Sequence, residues 1–457
     1  MKKLATLLLA AGMVVASTAP ANAVDVKIDG MYRHTFATGE MHFAGKNFES
    51  MMHRMRLGLT MAASENLSAY VQFQINHGNQ YGVTTNKHGN TGSYAITARQ
   101  MYLDWTVPGT AAKVRMGRFA LGLPAEAFGD NSILAASWGN REGVAVTAPV
   151  NDWLGLSAMW TRVGTDATTD LDQANNTDVF AAAANLKFDG FSGAVYAAYA
   201  AHDGYGTKDV YAHNATTGVW EIDEKGVSKK PANAYGLPNA EGDAYWLGFT
   251  STFSAFDPFT LKVSAAYGEF NAREKGVANE NGWNVQVKAA YELPFATAVL
   301  GGWYFSGADK DGKGVMPSAG AYHSATSGYY DGSKGLIGMQ GFGYVTGQWA
   351  IQAGLEGMSF IDGLSHDFKV TYMQGTNDEK FAKKKADANI AADKSAEQYL
   401  SEDESIVEFD FVSTYKIYKN LSATLELVYM IADFDKKVHA DMDKDDWTAQ
   451  LIFNYKF

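Results

Sequence analysis

The chain has 457 residues, with 38 lysines and arginines against 50 aspartates and glutamates, and its formal net charge of −12 argues against a nucleic-acid partner. It contains no cysteine, which excludes disulfides, thiol catalysis and Cys-based metal centres. There are 46 Gly, 24 Tyr, 25 Phe and 10 Trp beside only 9 Pro, a balance unlike that of most globular enzymes of this size.

Residues 1–23 read as an export leader: Lys2 and Lys3 form a positive start, Leu4 to Val15 an apolar run, and Ala21-Asn22-Ala23 a cleavage site. Its removal takes away two lysines and no acid, so the charge of −12 becomes −14. The apolar run is too short for a membrane helix, and no later stretch approaches the ~20 apolar residues a helix needs to span a bilayer. If residues 24–457 enter a membrane, they do so as strands of one barrel domain.

Alternation over segments of roughly ten residues is the dominant signal along the chain. Met55, Leu57, Leu59 and Met61 alternate with Arg54, Arg56 and Thr60, and then Leu67, Ala69, Val71, Phe73 and Ile75 with Tyr70, Gln72, Gln74 and Asn76. Farther on, Trp283, Val285, Val287, Ala289 and Tyr291 alternate with Asn284, Gln286, Lys288 and Glu292, and Leu421, Ala423, Leu425 and Leu427 with Ser422, Thr424 and Glu426. In the last strand Trp447, Ala449, Leu451, Phe453, Tyr455 and Phe457 share one face, while Thr448, Gln450, Asn454 and Lys456 share the other, with Ile452 the exception. A polar or charged residue at every second position suits water on one side and lipid on the other.

Tight turns are predicted at Glu65-Asn66, Pro108-Gly109, Asn151-Asp152, Asp189-Gly190, Phe256-Asp257-Pro258, Leu293-Pro294, Ile361-Asp362-Gly363 and Lys419-Asn420. Between them lie long polar loops around 38–50, 77–93, 120–140, 164–177, 202–242, 270–281, 306–347, 376–403 and 433–445. These turns and loops join about eighteen strands into an all-β transmembrane antiparallel barrel, with sixteen as the alternative. Either number leaves a lumen too wide for side chains alone to fill.

The stretch Arg99-Gln100-Met101-Tyr102-Leu103-Asp104-Trp105-Thr106-Val107-Pro108-Gly109, then Val114-Arg115-Met116-Gly117-Arg118, and the aromatic strand ending in Phe457 resemble bacterial outer-membrane porins. In particular they resemble the homotrimeric porin family of sulfate-reducing bacteria. That resemblance implies a water-filled channel for passive diffusion of small hydrophilic solutes and ions, with no cofactor. It also implies a homotrimer in the outer membrane of a Gram-negative bacterium, in contact with lipid and lipopolysaccharide. Phe457 is similar to the terminal residue read by the barrel-assembly machinery. In porins the third external loop folds inward, and the matching stretch here is 120–140, with Glu126 and Asp130 set against a basic wall.

Eight of the nine arginines precede residue 163: Arg33, Arg54, Arg56, Arg99, Arg115, Arg118, Arg141 and Arg162. Arginine keeps its charge and offers a rigid fork for carboxylates and other anions. Arg54, Arg56, Arg99, Arg118 and Arg141 are therefore expected to line a wall opposite Glu126 and Asp130, tuning which ions pass. Solvated faces and rims are the ordinary alternative for such residues, and for Arg33 and Arg162, near strand ends, the expected one.

Other motifs carry less. Asp309-Lys310-Asp311-Gly312 begins like a calcium loop, but the twelfth position is Gly320, which cannot ligate, so a solvated turn is expected. His34, Glu40 and His42 cluster without a zinc spacing, no metal is expected there, and no G-x-S-x-G motif occurs. Residues 379–400 break the alternation and read as a short loop helix, whose Lys383, Lys384 and Lys385 form a solvated face or a contact with lipopolysaccharide phosphates. Trp105, Trp153, Trp246, Trp283 and Trp447 suit interfacial girdles. Two rival classes remain: an outer-membrane barrel enzyme, which detergent-solubilised protein would reveal by hydrolysis, and a secreted soluble β-protein, which would need no detergent.

Overall fold

The structure, a computed structural model, describes residues 24–41, 46–77, 95–129, 131–134, 140–164, 176–203, 211–213, 220–222, 241–273, 279–319, 347–391, 399–439 and 444–457. The leader stretch, His42 and Asp130 lie outside these residues. In chain order the strands are β1 (Asp25–Met41), β2 (Lys46–Ser64), β3 (Leu67–His77), β4 (Ala95–Thr106), β5 (Lys113–Ala120), β6 (Asn140–Pro149), β7 (Leu154–Gly164), β8 (Asn176–Phe188), β9 (Phe191–Asp203) and the short β10 (Tyr211–His213) and β11 (Trp220–Ile222). They continue as β12 (Glu241–Phe256), β13 (Phe259–Ala272), β14 (Glu280–Leu293), β15 (Ala296–Phe305), β16 (Gln348–Ile361), β17 (Leu364–Gly375), β18 (Ser405–Tyr418), β19 (Leu421–Asp433) and β20 (Asp446–Lys456). One helix, α1 (Glu379–Ala391), occurs among the described residues.

β10 and β11 pair with each other, outside the main sheet. The other eighteen strands form one antiparallel sheet in which each pairs with its successor, β9 passing to β12. The sheet closes because β1 pairs with β2 on one edge and with β20 on the other. Eighteen strands is thus the number that the turns and loops foretold. All eight predicted turns join consecutive strands; at one of them Asn151 Oδ1 accepts the N–H groups of Trp153 and Leu154, at 3.0 and 2.8 Å. Gly109, Gly190 and Gly363 take φ of +75°, +66° and +75°, which only glycine adopts without strain. The loop expected over 38–50 is much shorter, since β1 runs to Met41 and β2 starts at Lys46. Thr38 and Glu49 pair across that hairpin, so the polar residues read there as loop are strand that extends past the apolar band.

The two faces follow the alternation. On β20 the outward Trp447, Leu451 and Tyr455 are exposed, whereas Thr448, Gln450 and Ile452 face inward and are buried. Ile452, the exception in the pattern, is thus an apolar side chain in the barrel interior. The helix expected over 379–400 forms α1, where Asp378 Oδ1 accepts the Lys380 N–H at 2.9 Å as an N-cap. Phe381, Ala382 and Ala386 of α1 pack with Tyr399, Ala308, Val315 and Val438, tying three external loops into one small core.

The seam decides whether the sheet closes. Gly30 N–H donates to the Phe457 carbonyl at 2.9 Å, and Phe457 N–H donates back at 3.1 Å. The Phe457 ring lies over Gly30, where an added Cβ would come within 2.5 Å of ring carbon Cζ, and it stacks on Tyr455 at 5.8 Å. Phe457→Ala removes a ring contact worth about 0.5–1.5 kcal/mol beyond its area, and Gly30→Val leaves the ring no seat. Both should lower the yield of heat-modifiable folded barrel on gels. Gly155→Ala, where a Cβ meets only Ala148 O at 3.9 Å, should leave it unchanged.

Candidate functional site

A barrel this wide has to be narrowed by its own chain, and the segment after β5 does so. Residues 121–129 and 131–134 cross the lumen and lie on the far wall: Ala127 N–H donates to Ser264 Oγ of β13 at 3.0 Å, and Phe128 N–H to Gln286 Oε1 of β14 at 3.3 Å. Asn131 Nδ2 donates to Tyr196 OH of β9 at 3.0 Å, and Asn284 Nδ2 to Ser132 Oγ at 3.1 Å. The loop after β15 folds in behind it, with Ser318 Oγ donating to Ser132 O at 2.9 Å and Ala319 N–H to Ile133 O at 3.0 Å. Ile133 and Leu134 have no exposed surface, and each such burial stabilises the loop by roughly 1.5–3 kcal/mol. The facing wall has the complementary shape, with Ala181, Ala183, Ala198, Ala200 and Ala244 leaving room and Trp246, Phe270 and Trp303 filling it. One side of the barrel is therefore a packed core.

Trp246 is one correction to the sequence reading. It faces the lumen, donates from Nε1 to Pro317 O at 2.8 Å and is 3% exposed, because it lies on the inward row of β12 rather than at the lipid interface. Trp105, Trp153, Trp283 and Trp447 do face outward.

Arginines occupy the other side. Arg33 and Arg54 are directly opposed on β1 and β2, on the face where Arg33 and Thr35 are buried, and Arg56 follows two positions along. Arg56 Nε donates to Gln74 Oε1 at 2.7 Å, and Arg99 Nη1 to Gln72 Oε1 at 2.8 Å. Gln72 in turn donates to Tyr70 OH at 3.0 Å, and Tyr70 donates to Asp29 at 3.4 Å. Arg99 sits where the β3–β4 register shifts, a bulge through which both Arg99 and Gln100 serve the inner face. Arg141, opposite the buried Phe119, is 8% exposed.

Arg115 belongs to this wall as well. It holds Asp104 in a bidentate pair at 2.6 and 2.7 Å and lies 4.0 Å over the Tyr102 ring. Sequence reasoning named it among the eight arginines without placing it in the wall, and it set Arg33 at a strand end, although Arg33 sits mid-strand at 4% exposure. The parity of each strand would have found both. Arg118 is the opposite case. It pairs with Met101, which is 60% exposed, so it lies on the outer face, where it bonds Glu142 at 2.8 Å. A single step in parity moved it there. Arg162 is also outward and holds Asp178 at 2.9 and 2.7 Å.

The inward acids of the barrel come mainly from strands rather than from the loop. Glu408 and Asp410 on β18 and Glu426 on β19 are inward and at most 1% exposed. Lys288 and Lys369 share Glu356 at 3.0 and 2.9 Å, and Lys369 is register-paired with Asp410. The signal for the acids was present in Ile406-Val407-Glu408-Phe409-Asp410-Phe411, where carboxylates alternate with outward apolar residues. Glu126 does not point at the arginines. It accepts from Ser132 Oγ at 2.8 Å and from Gln286 Nε2, and is 5% exposed, so it anchors the loop to the far wall. At the stretch that begins like a calcium loop, Asp309 Oδ1 accepts the N–H groups of Asp311 and Lys313, each at 2.9 Å, and the Lys313 bond leads in holding the carboxyl below its ordinary range. That carboxylate closes a turn.

Burial pushes the Glu126 carboxyl up to about 7 against the opposing pull of its hydrogen bonds to Ser132 and Gln286. A carboxyl raised in the folded state supports the anchor fully below its ordinary range, near pH 4.5, and that support is lost as pH rises through about 7. Current through a single channel should therefore grow noisier between pH 6 and 8 as the loop loosens. Glu126→Gln should flatten that dependence, and an equally pH-sensitive variant would refute the role.

No protein-family model matches the sequence, and no curated protein does. Solved structures do match the fold. OccAB4 of Acinetobacter baumannii superposes with a TM-score of 0.56 at 12% identity, over 96% of this chain and 100% of that one. OpdQ of Pseudomonas aeruginosa gives 0.56 at 13%, over 95% and 99%. OpdK of the same organism, solved with vanillate, gives 0.53 at 12%, over 95% and 98%. Over 95–96% of its length the chain thus matches the fold of these barrels.

Proposed function

We propose that the protein is a porin of a Gram-negative outer membrane, a passive channel for small hydrophilic solutes and ions that moves them without chemical change. The observation carrying this reading is the pairing of an apolar outer surface with a charged inner one around a closed barrel whose lumen a folded-in loop only partly fills. A soluble β-protein would bury its apolar rows instead. Fixed guanidinium groups along β1–β6 offer anions successive forks, and inward carboxylates on β18 and β19, next along the wall beyond β20, add charge of the opposite sign. Vanillate, bound to OpdK, is a carboxylate of the size and charge that such a wall would conduct. Reversal potentials in a planar bilayer under a salt gradient test the reading. Arg54→Ala with Arg56→Ala should shift selectivity toward cations, while an unchanged potential would count against the wall and absence of current against the channel.

A homotrimer is part of the same proposal, together with contact with lipopolysaccharide, assembly through the terminal Phe457, and export directed by residues 1–23. The short strand β5 supports the assembly. β5 has 8 residues, short of the 9–11 that a tilted strand needs to cross lipid. Its outward Arg118–Glu142 pair is also poorly placed against hydrocarbon and well placed against another subunit. Arg118→Glu would set two acids side by side, and chemical cross-linking of the detergent-solubilised protein should then yield monomer at the expense of trimer.

A further inference from the structure

Three loops at the external end of the barrel are joined through two side chains with no exposed surface, Asn377 and Glu404. Glu404 Oε2 accepts the Ser401 N–H at 2.8 Å, while its Oε1 accepts the Asp435 N–H at 3.1 Å and lies 2.8 Å from His439 Nδ1. One carboxylate thus ties the segment before β18 to the segment after β19. Asn377, between β17 and α1, donates from Nδ2 to Gly347 O at 3.1 Å and to Leu400 O at 2.7 Å. Its Oδ1 accepts the Ala308 N–H at 2.9 Å, and the Ala308 carbonyl accepts the Asp378 N–H at 2.8 Å. The loop after β15 is therefore gripped at Ala308 through both its backbone donor and its acceptor.

That loop does not stay outside. Ala308 and Val315 pack with α1 in the external cap, whereas the next residue, Met316, belongs to the core inside the lumen. Gly282 of β14 leaves the room this passage needs, since a Cβ there would run into Met316 N. Pro317 O then accepts from Trp246, and Ser318 and Ala319 bond the carbonyls of Ser132 and Ile133 in the constriction segment. Residues 308–319 are held at the cap by one end and at the constriction by the other, and Val315 and Met316 are packed into two different cores on the way. A close-packed segment fixed in this manner passes a displacement on instead of absorbing it.

We propose that Asn377 and Glu404 are positioning residues for conduction. By fixing the cap they fix residues 308–319, and through these the constriction segment 131–134, so that the width of the channel is set from outside the membrane. The consequence for conduction rests on the porin reading above; the coupling itself rests on the hydrogen bonds and the two cores.

The test uses the full mature chain, in detergent for hydrogen–deuterium exchange and in planar bilayers for exclusion of uncharged polyethylene glycols of graded size. Asn377→Asp keeps the side chain's volume and its acceptor for Ala308, but sets a carboxylate against the Gly347 and Leu400 carbonyls. Glu404→Gln keeps the volume and removes one of two acceptor oxygens. Each should speed exchange in peptides containing Ser132 and Ile133 roughly fivefold or more, as expected when a buried polar group loses its partner and the segment opens locally. Each should also admit larger polymers. Ser318→Ala, at the far end of the same segment, should act alike, and its effect combined with Asn377→Asp should fall short of the sum. Asn151→Ala, which loosens a turn on the opposite rim, should move neither readout. Faster exchange confined to the cap, with Ser132 and Ile133 as in wild type, would overturn the proposal, as would an equal response to Asn151→Ala. Should a cap variant fail to give heat-modifiable barrel, the Ser318→Ala measurement decides alone, and an unaltered polymer cutoff there would overturn it. Wild type that carries no current while its exchange follows this pattern would sink the porin reading and support the coupling.

Discussion

Every backbone N–H and C=O that faces hydrocarbon must be bonded within the protein, and a strand-built chain meets that demand only by closing its sheet. Closure here depends on the pairing of β1 with β20, where Gly30 and Phe457 exchange backbone hydrogen bonds. A glycine is needed at position 30 because the terminal ring occupies the space a Cβ would fill. The last residue is therefore a structural part of the wall, and the alternation of apolar and polar rows has a defined inside and outside only once this seam is made.

Closing eighteen strands creates a second problem, because the enclosed space exceeds what side chains can fill. The chain answers it asymmetrically. Residues 121–129, 131–134 and 306–319 fold inward and build a core against β8–β15, where alanines and glycines on the wall make room for Trp246, Phe270, Trp303 and Met316. The inward arginines lie on β1–β6 and the other inward charges on β14 and β16–β19, where Ala350, Met373, Ile406 and Val428 join the same buried cluster.

Charges are sorted by partner as well as by place. Arg56 and Arg99 donate to glutamines, and Arg115, Arg118, Arg162 and Arg273 hold carboxylates. Arg118, Arg162 and Arg273 lie toward the external end of their strands, and on the outer face of β5 and β7 an exposed pair is a way to carry charge near lipid. The His34–His53 pair on β1 and β2, with Nδ1 atoms 2.8 Å apart, is the corresponding departure on another part of the outer wall.

Much of this was legible in the residues themselves. Alternation with a period of two needs no tertiary information, since successive side chains on a strand point to opposite faces, and turn residues such as Asn151 and Gly190 act locally. The eighteen strands, their order and the inward course of the loop after β5 could therefore be anticipated, the last through resemblance. Facing partners could not. Arg118 reads as a lumen residue from the crowding of arginines before residue 163, and one step of parity puts it outside. Glu126 looked like a pore acid until the fold brought Gln286, 160 positions away in the chain, against it. The arginines of β1–β6 and the carboxylates of β18 and β19 are likewise far apart in sequence, and only closure of the barrel gives them a shared lumen. Local periodicity determined the strands and their faces; the curvature, register and seam that no single segment contains decided which side chains meet.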